Sequence, residues 1–175
     1  MLVSTIVYSQ KVYRVSIISD MSYSGNKESI INMLDSANVF FKEYDIQFSV
    51  SDYMRSDVIA EDKTLDSNLD NFRNDTKTSD ITILVVGEHK GTKVGSAFKG
   101  AIGTPYSCLT FNANYPTHNI VMVHELLHIF GLSHVDKRDN IMCGYTTKKN
   151  MDIGQKLLLI KYGKSNKNGD FVQRF

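Results

Sequence analysis

Cysteine is scarce. Cys108 and Cys143 are the only 2 in 175 residues, too few for a disulfide scaffold. They either pair with each other or stay as buried thiols, and the sequence decides neither. No Cys-x-x-Cys occurs, which excludes a zinc knuckle built on thiolates. An excess of one charge is also lacking. The 20 Lys and Arg against 19 Asp and Glu leave a formal net charge of +1, so no nucleic-acid footprint is expected. The densest basic cluster, residues 161–167, reads as a solvated helix end and tail. Long apolar runs are missing too. The strongest, residues 81–86, has strand length and cannot span a bilayer, so no membrane partner is expected. Residues 1–8 carry a short apolar segment without a basic n-region or a clear small-residue cleavage site. They read as a strand or ordered arm rather than a signal peptide, in keeping with an intracellular protein or the mature form of a secreted one. Internal repeats and linkers are absent. The length suits one domain with a real core, so residues 1–175 are expected to fold as a single unit.

What is present is a change of hydrophobic period along the chain. Residues 11–20 alternate as a strand and 21–26 form a Ser- and Gly-containing loop. From Lys27, the positions Ile30, Leu34, Ala37 and Phe41 recur at helical spacing, predicting a helix to Glu43. Alternation returns at 46–50. Residues 51–64 are polar and ambiguous. Leu65, Leu69 and Phe72 suggest a short helix, and 80–87 a buried strand. The glycine-rich stretch 90–103 reads as a loop leading into a strand near 94–98, and 108–112 as another strand. A helix apolar on most sides follows Thr117, its expected N-cap, and belongs in the middle of a domain. Asp152 and Gln155 resemble a capping box opening a last helix through Ile153, Leu157 and Ile160, with Gly163 as its expected stop. The sum is an α/β (α+β) chain: a sheet-and-helix part over about 1–131, then a part over about 132–175 that ends in a helix.

The central helix carries the chemistry. It reads His124-Glu125-Leu126-Leu127-His128-Ile129-Phe130-Gly131-Leu132-Ser133-His134. Residues four apart share a helix face, so His124 and His128 can aim two imidazoles at one point. Glu125 stands about 100° round the helix from His124, beside a metal rather than on it. Gly131 can take positive φ and turn the chain back, so that His134 supplies a third nitrogen. Three protein ligands leave a fourth position open, the arrangement of a catalytic Zn2+ site with one ion. Chance occurrence of this set has odds on the order of one in 10^5 for the chain.

The run from His124 to His134 resembles the His-Glu-x-x-His-x-x-Gly-x-x-His motif of metzincin zinc proteases. Met142, in Asn140-Ile141-Met142, resembles the methionine of that family's Met-turn, and its short spacing from His134 is similar to matrixins. The pattern Gly95-x-Ala97-x-x-Gly100 is more similar to the reprolysin (adamalysin/ADAM) branch, where it marks the strand that pairs with substrate. The resemblance implies a metzincin-like single catalytic domain: a twisted mixed sheet with an antiparallel edge strand, a central zinc-site helix, a Met-turn and a C-terminal helix. The sequence departs from both branches. Val135 stands where reprolysins carry Asp. Gly103 replaces a cysteine, with Cys108 further on. Met142-Cys143-Gly144 replaces Met-Tyr-Pro, and Tyr145 lies three residues after the Met rather than two. The branch stays open.

The resemblance implies a zinc-dependent endopeptidase. Glu125 would act as general base on a metal-activated water, with His124, His128 and His134 as ligands and Met142 as the floor. A peptide or protein substrate would lie extended along Gly95, Ser96 and Ala97, with Tyr145 as a pocket wall in the stretch 144–149. The alternatives are a non-catalytic zinc-binding module and a zinc hydrolase of a non-peptide amide. Control by a separate inhibitor, by the tail or by a partner copy stays open, as does the oligomeric state. His89 and His118 read as surface or helix-start residues, and Asp136 and Asp139 as loop-solvating ones.

Overall fold

A computed structural model describes residues 10–57, 64–72, 79–102, 104, 107–144 and 148–164. Among these residues, five strands form one sheet: β1 (Lys11–Asp20), β2 (Ile46–Ser56), β3 (Ile81–Val86), β4 (Gly95–Ala97) and β5 (Cys108–Asn112). The order across it is β2-β1-β3-β5-β4. Pairings are parallel except at the edge, where β4 runs antiparallel to β5. The continuous apolar run of β3 has its cause here. All six residues are buried, as expected of a central parallel strand covered on both faces. β2 runs six residues beyond the alternating stretch 46–50, because its polar second half still pairs with β1 after a register shift at Val15/Ser16.

The helices are α1 (Lys27–Phe41), α2 (Leu65–Phe72), α3 (His118–Ile129) and α4 (Ile153–Lys164), with a short 3₁₀ turn at Lys42–Tyr44. Asn26 caps α1, its side chain accepting from the Ser29 N–H at 2.9 Å. The helix buries Ile30, Met33, Leu34, Ala37, Phe40 and Phe41, the face its period predicts. That face packs into a core shared with α3 and with Ile17, Ile83, Val85, Leu109 and Phe111 of the sheet. On the opposite face, Leu65 of α2 covers Ile18, Leu84 and Val86.

Aromatic packing anchors the far end of α3. Phe130, fully buried, lies 5.5 Å from Tyr13, 5.7 Å from Phe41 and 5.1 Å from Tyr162 between ring centroids. The helix then stops as a Schellman motif: Gly131 N–H donates to His128 O at 2.8 Å and Leu132 N–H to Leu127 O at 3.1 Å. Gly131 has φ +92, a conformation open to glycine and strained for other residues. At the start of α3, Thr117 occupies the N-cap position but makes no side-chain cap bond.

α4 departs from expectation at its end. The helix continues through Gly163 to Lys164. A Cβ at Gly163 would fall 1.9 Å from Tyr44 O, so this glycine permits close packing on the 3₁₀ turn instead of ending the helix. Among the described residues, no helix is long and apolar enough to cross a membrane.

Candidate metal centre

The helix α3, its glycine stop and the turn after it bring three imidazoles to one point. His124 Nε2 lies 3.0 Å from His134 Nε2, and His128 Nε2 lies 3.1 Å from each of the other two. The far nitrogens of two rings are fixed. His124 Nδ1–H donates to Ile141 O and His128 Nδ1–H to Leu132 O, both at 2.7 Å. A carbonyl oxygen only accepts, so each Nδ1 carries the proton and each Nε2 presents a lone pair. Burial holds His128 down to about 4 and His124 below its ordinary value, which keeps both rings neutral near pH 7. Two of the three converging nitrogens therefore present lone pairs to the third, and the group could hold a cation between them. Tetrahedral zinc with bonds of about 2.0–2.1 Å wants nitrogens roughly 3.3 Å apart, close to the separations found. Among the described residues, these histidines are the one group of three or more His, Cys, Asp or Glu that could hold a metal ion.

Glu125 lies beside this group, 5 % exposed. Its Oε2 has no hydrogen-bond partner among the described residues, and burial pushes the carboxyl up to about 8. A buried, unpaired carboxyl is costly and calls for a role. It sits under the edge strand: a Cβ at Gly95 would be 2.4 Å from Glu125 Oε1.

The Gly95-x-Ala97-x-x-Gly100 pattern acquires a physical meaning here. Gly95 pairs with Phe111 and Ala97 with Leu109, on the α3 side of the sheet. Gly95 leaves room for the carboxyl. Gly100, at φ +66, donates its N–H to His128 O at 2.8 Å and so ties the strand's exit to the end of the site helix. Ser96 lies on the other face and bonds Asp66 of α2 at 2.5 Å. Lys93 reaches the same carboxylate at 2.9 and 2.7 Å. The Asp66–Lys93–Ser96 contact joins positions 30 and 27 residues apart, and no periodicity announces it.

Met142 is fully buried in the main core, and the adjacent Ile141 carbonyl is the one that fixes His124. Tyr145 lies outside the described residues. Cys108 and Cys143 are both buried, and no disulfide joins them. His89 and His118 are only half-buried and bond locally, to Lys93 O at 2.6 Å and Tyr115 O at 3.0 Å. Asp136 and Asp139 are exposed.

Solved structures share this fold. A metalloproteinase-II from Bacteroides fragilis aligns with a TM-score of 0.69 at 14 % identity, over 90 % of this chain and 55 % of that one. A chaperone-substrate complex contains a chain aligning with a TM-score of 0.68 at 14 % identity, over 89 % of this chain and 34 % of its own. The chain thus spans about a third to about half of the length of these neighbours. No curated protein matches it. A reprolysin-type family model described as Metallo-peptidase family M12 matches residues 9–169, and the chain belongs to that family.

Proposed function

We propose that the chain is a zinc-dependent endopeptidase of metzincin type, a single catalytic domain with His124, His128 and His134 as ligands and Glu125 as general base. The observation that carries this reading is the meeting of three Nε2 atoms beside a buried, unpaired carboxyl. Zinc held there would supply Lewis acidity, polarising a scissile carbonyl and bringing the pKa of water towards ~7. Glu125 takes the proton of the attacking water and returns it to the leaving amine. Gly95 keeps the space in which the carboxylate works. Among the described residues β4 has β5 on one side only, so its outer edge offers main-chain groups to an extended peptide at Gly95, Ser96 and Ala97. Met142 packs as the floor of the site.

A peptide library tests the reading. Cleavage is expected with zinc, to be lost on chelation and to return when zinc is restored. Equal cleavage under chelation, or none with zinc, would sink it.

Gly95 allows a second test. In Gly95→Ala the new methyl would fall 2.4 Å from Glu125 Oε1 and 2.8 Å from its Cδ and Cγ, so the Glu125 side chain has to shift. Hydrolysis is expected to fall by about 10²-fold, the scale of a misplacement of about 1 Å. The readout is kcat beside a thermal melt. Unchanged kcat would separate Gly95 from the chemistry.

A further inference from the structure

We infer that Asn140 and Gln155 form a positioning pair for the metal centre, setting the proton and the aim of His124. The inference rests on the zinc-site reading above. The two histidines of α3 are oriented by different means. His128 donates to Leu132 O, which belongs to the helix's own stop. His124 donates to Ile141 O, 17 residues away on a separate turn. That acceptor is main chain, so no substitution deletes it. Its place is decided by whatever holds the turn.

Main-chain bonds from Ile141 N–H to Asn150 O at 2.7 Å and from Val135 N–H to Met142 O at 3.1 Å share the holding with Asn140, whose side chain, 1 % exposed, is the part a substitution can remove. Its Oδ1 accepts from Met142 N–H at 2.8 Å and its main-chain oxygen from Cys143 N–H at 3.0 Å, which closes the turn on both sides of Ile141. Its Nδ2 donates to Gln155 Oε1 at 2.8 Å. The same Oε1 accepts from Asp152 N–H at 2.8 Å, the backward arm of a capping box at the start of α4. One oxygen thus joins α4 to the turn, and the turn to His124. Outer partners of this kind orient a ligating imidazole and select its tautomer, and their loss costs about 10–100-fold in metal affinity.

The direction of the bonds makes the test specific. Gln155 is used only as an acceptor. Gln155→Glu keeps an acceptor oxygen at the same reach and places an acid in the first turn of a helix, where it is favoured. Gln155→Met keeps the length and removes the acceptor. Gln155 is half-buried on the first turn of α4, so both variants should fold.

Zinc affinity is measured by chelator competition, and the His124 tautomer by imidazole nitrogen NMR on metal-free protein. Gln155→Met is expected to lower zinc affinity about tenfold and to mix the His124 tautomers. Gln155→Glu is expected to match the parent in both. Asn140→Ala is expected to exceed the Met variant; if it fails to fold, the Gln155 pair still decides. A Met variant equal to the parent in affinity and tautomer would overturn the inference, as would a Glu variant as impaired as Met. A parent that binds no zinc would instead overturn the metal-site reading, which the tautomer measurement distinguishes.

Discussion

Replacing Glu125 by glutamine is expected to cut peptide hydrolysis by about 10²–10⁴-fold, the usual contribution of a general base, while zinc binding is retained. The amide has nearly the shape of the carboxyl and fills the same space against Gly95, so packing in this 5 % exposed position is preserved. What it loses is the capacity to take a proton. The histidine nitrogens are unaffected, because His124 and His128 are oriented by main-chain carbonyls and not by Glu125. Turnover of a profiled peptide and zinc stoichiometry, measured on the same sample, separate the two roles. Glu125→Ala should lose activity similarly, with a cavity added. Full activity in either variant would remove Glu125 from the mechanism. Loss of zinc in Glu125→Gln would make it part of the metal site instead.

Much of this arrangement is legible before any coordinates, because it depends on local spacing. His124 and His128 are four apart on a helix, and Gly131 is where a left-handed residue must stand for the chain to return with His134. The strands and helices that build the sheet likewise announce themselves by their period. The rest depends on contacts distant in sequence. Gly163 has the look of a helix stop, and only the approach of Tyr44 O explains why it lies inside α4. Gln155 reads as half of a capping box, which it is. Its second partner, Asn140, stands 15 residues upstream. The Asp152 carboxylate accepts from Lys137 Nζ at 3.1 Å, a partner 15 residues upstream that the capping-box pattern does not suggest. The room Gly95 leaves for Glu125 is invisible in sequence, since the two meet only when β4 lies beside α3.

His134→Ala is expected to abolish the zinc dependence of the protein with little disturbance of its fold. Of the three histidines it is the exposed one, on a turn after the helix stop. The neighbouring anchor, Val135 N–H to Met142 O at 3.1 Å, is main chain and survives the change. His128→Ala would be less clean, because it also removes the bond to Leu132 O inside the Schellman stop. Loss of a direct ligand should cost more than the about 10–100-fold of an outer partner. Stability then gives a readout independent of catalysis. A ligand present at a hundred times its Kd stabilises the folded state by about 2.7 kcal/mol, several degrees in Tm for a domain of this size. The parent's melt should therefore rise with zinc, while the His134→Ala melt should match the metal-free parent and ignore zinc at that concentration. Peptide hydrolysis should fall with it to background. A His134→Ala protein that keeps both the zinc-induced rise and the activity would place the metal elsewhere. One that keeps the rise but loses activity would mean that His124 and His128 hold the ion without it, and that the third imidazole serves the reaction rather than the binding.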